Sequence, residues 1–272
     1  MTRAEQYLSK VPEVTLGFWI IKIAATTLGE TGGDSVTMTL NWGYLVGTAI
    51  FFSLLILLVI AQIKADKFHP FIYWATIVAS TTAGTTMADF ADRSLGIGYA
   101  GGSSLLFACL MVVLGTWYWT LGSISVTTVN TPKVEAFYWL AITFSQTLGT
   151  ALGDWMADNT GLGYGRGALV FGVGLGALAF AYYRTNISRV FLFWAAFILT
   201  RPLGATVSDG GMALSRPIAS AVIAVFMVGC ILLLPQRAGM HPGRSEAIDC
   251  RLSRGQRARS LLPAKKSCLD RL

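Results

Sequence analysis

Five carboxylates stand in an unusual setting in this sequence. Asp34, Asp89, Asp154 and Asp209 each close a long apolar segment, and Glu30 lies one helical turn before the first of them. Each Asp follows a Trp by fifteen residues (Trp19, Trp74, Trp139, Trp194) and a Gly by five (Gly29, Gly84, Gly149, Gly204). On an α-helix, positions eight, seven and four residues before the Asp share its face within about 80°. Those positions hold Thr26, Thr27 and Glu30, then Thr81, Thr82 and Thr85, then Gln146, Thr147 and Thr150, then Arg201, Pro202 and Ala205. Carboxylate and hydroxyl oxygens in a stripe suit hard cations such as Mg²⁺, Ca²⁺ or Mn²⁺, whereas copper or zinc would call for His and Cys. His69 and His241 fall on the side away from the Asp residues, and the four cysteines form no C-x-x-C pair.

The elements that carry these residues are membrane helices. The chain has 272 residues, 54% hydrophobic and 13% charged, about half the charge of a soluble domain. The runs Tyr44–Ile63, Leu105–Leu121, Ala168–Tyr183 and Ala219–Leu234 have no ionisable group that would hold them in water, and about 20 such residues cross a bilayer core. The spacing predicts an all-α integral membrane protein of about eight transmembrane helices, arranged as four two-helix repeats. The spans fall near 13–34, 43–63, 70–90, 100–121, 134–155, 165–183, 189–209 and 214–234. The repeats occupy about 11–68, 69–126, 133–188 and 189–236 of a membrane domain ending at 236. Gly-Tyr falls nine to ten residues after the Asp in the first three (Gly43-Tyr44, Gly98-Tyr99, Gly163-Tyr164). With no small-x-small cleavage site near the start, the first span is expected to serve as its own insertion signal.

Basic residues set the orientation. The N-terminus and the connections between repeats hold Arg3, Lys10, Lys64, Lys67, Lys133, Arg184 and Arg189, against Arg93, Arg166 and Arg216 on the other side. Both termini are therefore expected in the cytoplasm of a bacterial inner membrane, with the repeats parallel and every repeat Asp toward the outside. Residues 237–272 are basic and aperiodic, and are expected to be disordered, with anionic lipid as a contact. Their charge supplies most of the net +7, so it gives no case for nucleic acid.

An acidic group in the membrane costs up to about 3 kcal/mol. Within the expected spans, five carboxylates face two cations, Lys22 and Arg201, which are assigned to charge balance. The excess points to bound cations or protons. The expected site is Glu30, Asp34, Asp89, Asp154 and Asp209 as ion ligands or proton carriers, with Thr27, Thr82 and Thr147 as supporting oxygens. The structural alternative is that the Asp residues cap turns and the glycines allow close helix approach. Asp92 and Asp158 are expected to be solvated.

The units VPEVTLGFWIIKIAATTLGETGGD, EAFYWLAITFSQTLGTALGD and LFWAAFILTRPLGATVSD resemble the tandem repeat of unknown function of a bacterial family of uncharacterised membrane-anchored proteins. The resemblance covers about residues 11–234 and implies architecture more than activity. A looser similarity joins GETGGD to the E-x-G-D motif of cation/manganese exchangers, but an extra Gly separates Glu30 from Asp34 and Ser35-Val36 follows.

The function these residues favour is export of a hard divalent cation such as Mn²⁺, coupled to protons, with no cofactor and no enzymatic activity. A second expectation is a membrane scaffold or sensor whose basic tail recruits a partner. An intramembrane aspartyl protease is third, since Ala151-Leu152-Gly153-Asp154 lacks the first Gly of G-x-G-D and no Tyr-Asp pair occurs.

Overall fold

The computed structural model describes residues 8–211 and 215–240, with the side chains of residues 8, 207–211 and 240 outside the description. Asp209 thus falls within a described helix while its side chain lies outside the described residues, as do residues 241–272 of the expected tail.

Eight α-helices follow the expected order among the described residues: α1 (Leu16–Asp34), α2 (Tyr44–Lys64), α3 (Pro70–Asp89), α4 (Tyr99–Leu121), α5 (Pro132–Asp154), α6 (Gly163–Arg184), α7 (Arg189–Gly211) and α8 (Arg216–Leu233). Helix starts have local causes. The Thr15 hydroxyl accepts from Phe18 N at 3.4 Å, while Pro70, Pro132 and Pro217 occupy first-turn positions where no intrahelical N–H is needed. Immediately after Asp34, Asp89 and Asp154 the chain makes a π-helical turn, at Ser35–Thr39, Phe90–Ser94 and Trp155–Asn159. Gly43, Gly98 and Gly163 then open the next helix with φ of +79°, +77° and +68°, which explains glycine there.

The two helices of one repeat hardly touch. Instead α1, α3, α5 and α7 form a closed ring, and each even helix packs on the odd helix of the next repeat: α2 on α3, α4 on α5, α6 on α7, and α8 back on α1. The inner four carry the polar stripes and bury them. The outer four are long and apolar enough to cross a membrane, and they expose Leu57, Val112, Leu169 and Val225.

The all-α expectation holds for the bundle, and one expectation needs correcting: a short antiparallel pair, β1 (Leu8–Pro12) with β2 (Ala238–Met240), makes the first residues of the expected disordered tail a strand. Lys10 fixes this pair to the bundle: its Nζ lies 2.7 Å from Glu135 Oε1 and donates to Ile63 O at 3.1 Å. Trp74, Trp139 and Trp194 are buried in a cyclic aromatic layer, in which each residue before a Trp packs on the next repeat's Trp. The centroid distances are 5.4 Å (Phe18–Trp74), 5.7 Å (Tyr73–Trp139), 6.3 Å (Tyr138–Trp194) and 5.8 Å (Phe193–Trp19). The Tyr73 and Tyr138 hydroxyls meet at 2.7 Å.

Candidate functional site

Stepping four residues at a time, the inner faces of α1, α3, α5 and α7 stack in layers about 6 Å apart. The aromatic layer is Phe18, Tyr73, Tyr138 and Phe193. Above it come Lys22, Ile77, Ile142 and Phe197, then Thr26, Thr81, Gln146 and Arg201, then Glu30, Thr85, Thr150 and Ala205. Asp34, Asp89 and Asp154 form the rim. All of these side chains are buried.

The repeated Gly makes the ring this tight. A Cβ on Gly29 would meet Thr81, one on Gly84 would meet Gln146 and Thr147, one on Gly149 would meet Arg201, and one on Gly204 would meet Thr26. Each Gly therefore receives the residue eight before the Asp on the neighbouring inner helix. The structural role considered for these glycines, close helix approach, is what the packing uses.

At the centre, Arg201 reaches across from α7. Its Nη2 lies 2.6 Å from Glu30 Oε2 and 2.6 Å from Thr150 Oγ1, donates to Thr85 Oγ1, and is 3.4 Å from Thr81 O. Thr85 Oγ1 also donates to Glu30 Oε2 at 2.9 Å. One nitrogen is thus surrounded by four oxygens drawn from the three other inner helices, although it has only two hydrogens to give. The next residue, Pro202, lies inside α7 and has no N–H for the helical bond to the fourth residue before it.

The rim is also paired. Arg93 Nε is 3.1 Å from Asp89 Oδ1 and its Nη2 is 3.5 Å from Asp154 Oδ2, so it bridges two repeats. Arg216 Nε lies 3.6 Å from Asp34 Oδ2. The carboxylate excess inferred from the spans is therefore reduced by cations from the connections. Glu30, Asp34, Asp89, Asp92 and Asp154 stand against Lys22, Arg93, Arg201 and Arg216, five and four, with the Asp209 side chain outside the described residues. Position in the chain made Arg93 and Arg216 look like connection residues, but their long side chains return to the Asp layer. Nor do the expected ligands assemble: among the described residues no three His, Cys, Asp or Glu side chains converge as a metal-holding group.

Other expected residues fall in different places. The hydroxyls of Thr27, Thr82 and Thr147 accept no cross-helix partner role here, since each donates to the carbonyl four residues earlier on its own helix, Ile23, Val78 and Thr143. The axial oxygens come instead from Thr81, Thr85 and Thr150. Lys22, assigned to charge balance, has its Nζ 4.1 Å above the Phe197 ring with no hydrogen-bond partner among the described residues. Asp158 is exposed as expected, and accepts from the Tyr99 hydroxyl at 3.3 Å. Asp92 is buried against Gly102, and burial pushes its carboxyl up despite the opposing charge of Arg93.

The family model described as Repeat of Unknown Function (DUF347) matches the chain four times, at residues 17–68, 72–123, 137–188 and 192–235. No curated protein and no solved structure matches it.

Proposed function

The chain belongs to the family of this repeat of unknown function, and we propose that it is a membrane transporter for a hard cation such as Mn²⁺, exchanged against protons. The observation that carries this reading is the oxygen cage around Arg201 Nη2. A carboxylate oxygen, two hydroxyls and a carbonyl on three separate helices form a donor set for a hard cation, filled by a tethered guanidinium. Asp34, one turn beyond Glu30 on α1, supplies the second charge that a divalent ion needs. In the exchange, α7 loosens at Pro202, Arg201 withdraws, and the ion takes Glu30, Thr85 and Thr150. A proton on Glu30 has the opposite effect and releases it.

All eight helices cross the membrane in this reading. The inner four need less apolar character than α2, α4, α6 and α8 because lipid does not meet their polar stripes. The β1–β2 pairing supports an even number of spans, since it holds the two ends of the described chain together. The basic bias puts that end in the cytoplasm and the Asp rim outside. The aromatic layer then closes the cytoplasmic side.

The test is Mn²⁺ flux in proteoliposomes under a pH gradient, repeated with Mg²⁺, Ca²⁺ and Co²⁺. The parent is expected to carry at least one of these ions with opposed proton movement. Thr85→Val and Thr150→Val, which keep side-chain size, are expected to lower flux about tenfold each, by loss of an oxygen to a charged partner. A parent without flux of any of the four ions, or threonine variants that match it, overturns the proposal.

A further inference from the structure

The oxygen cage uses one nitrogen of Arg201. The other two, Nε and Nη1, have no hydrogen-bond partner, and neither does Lys22 Nζ or either amide atom of Gln146. All three residues are 0% exposed. A satisfied interior leaves few such atoms, and five on three residues that share one end of one axis require a common cause.

The three side chains come from three helices and occupy two adjacent layers of the bundle axis. Lys22 on α1 rests over Phe197, which is one turn before Arg201 on α7. Gln146 on α5 lies one turn before Gly149, whose bare face receives the Arg201 Cβ and Cγ. Ile77 and Ile142, both buried, complete the Lys22 layer and leave it apolar apart from these groups.

The cluster has a definite chemistry. Lys22 offers three N–H bonds, the two free Arg201 nitrogens three, and the Gln146 amide two, against a single acceptor, Gln146 Oε1. Its charge does not cancel either. When Lys22 is protonated, two cations face Glu30 alone, and the Asp residues of the rim lie two layers beyond Arg201, with Arg93 and Arg216 beside them. A water molecule would satisfy some donors but leave the extra positive charge in a low-dielectric interior, where an uncompensated ion is costly. A small anion would satisfy both.

We infer that this layer is a binding site for one monatomic inorganic anion of the halide class, held by Lys22 Nζ, Arg201 Nε and Nη1, and the Gln146 amide N–H. The site lies directly beneath the oxygen cage and shares Arg201 with it. An anion there holds the guanidinium toward the cytoplasmic side, so its arrival and departure bias where Arg201 rests. The inference goes beyond the cation reading and does not depend on it.

The test is equilibrium binding, read by ³⁵Cl NMR linewidth on the full-length protein in detergent micelles at constant ionic strength with gluconate as the balancing anion. The parent is expected to broaden the chloride line saturably, and bromide is expected to reverse the broadening by competition. Lys22→Met, which keeps the chain length of the side chain, is expected to weaken binding about tenfold or more, as loss of a charged hydrogen bond implies. Gln146→Leu serves as the second variant if Lys22→Met fails to give a monodisperse protein, and is expected to weaken binding in the same direction. Absence of saturable, bromide-sensitive broadening in the parent overturns the inference, and so does unchanged broadening in a folded variant. Because no flux is measured, failure here leaves the cation reading standing, and failed cation flux leaves this site standing.

Discussion

Glu30→Gln is the most informative single perturbation of the inner bundle. Glu30 is the one described carboxylate in contact with Arg201, at 2.6 Å, and both are buried. In halide-free buffer, removing its charge leaves Arg201 and Lys22 with no counter-ion from the protein in their layers. Breaking a buried ion pair from one side costs about 3–5 kcal/mol. Here the remaining repulsion between the two cations puts the expected loss at the upper end of that range. Arg201→Met should cost less, because it leaves one cation, Lys22, with one carboxylate, Glu30, on the same face of α1. In the same halide-free buffer, Lys22→Met replaces a buried amine that has no hydrogen-bond partner in the protein with an apolar chain of similar length, so it is expected to be neutral or stabilising. The double variant Glu30→Gln with Lys22→Met should recover part of the Glu30→Gln loss, on the order of 1–2 kcal/mol. The assay is thermal or denaturant unfolding in micelles, followed by fluorescence of the buried tryptophans. Two results refute the reasoning: Glu30→Gln as stable as the parent, or Lys22→Met as damaging as Glu30→Gln.

Two further outcomes follow from the packing and the rim. A Cβ on Gly84 would sit 2.9 Å from Thr147 N and 3.0 Å from Gln146 C, backbone atoms that cannot turn aside. Gly84→Ala should therefore force α3 from α5 at about 1–3 kcal/mol, whereas Gly115→Ala on α4, with nothing within 4 Å, should be neutral or stabilising by about 0.5–1 kcal/mol; equal unfolding midpoints would show that close approach is not what Gly84 provides. Asp92 is held above the ordinary carboxylate range by burial, so the folded state keeps its proton more tightly than the unfolded chain. Stability should then fall as pH rises from about 4 through the raised value, and Asp92→Asn should abolish that fall, with the two proteins converging at low pH; an advantage of the variant that is the same at pH 4 and pH 8 would rule out ionisation as its cause.

Much of the architecture was legible because it depends on periodicity. The Trp-to-Asp and Gly-to-Asp spacings fix which residues share a helical face, and the four copies fix eight helices whose ends fall within three residues of the expected positions. Glu30 and Arg201 stood out because an ionised group inside an apolar helix needs a partner. Which partner it takes was beyond reach, since Arg201 meets Glu30 across 171 residues of sequence and that contact exists only once the ring of inner helices closes. Rotation about each helix axis was equally beyond reach: positions seven and eight before the Asp differ by 100°, and only packing turns Thr81 onto α1, where its hydroxyl donates to Ala25 O as well as to Val78 O, while Thr82 donates to Val78 O on its own helix.

By itself the sequence determined the repeat, the polar stripe and the common helix end at which the acidic residues stand, because covalent spacing and hydropathy act along the chain. Tertiary structure alone decided that even helices pack on the next repeat, that Arg93 and Arg216 return to the Asp rim, and that Lys22 rests on an aromatic ring without a carboxylate. The physical reason is that charge balance in a low-dielectric interior is settled by distances of a few ångströms between side chains from different helices, and those distances are fixed by how closely the glycine faces let the helices approach.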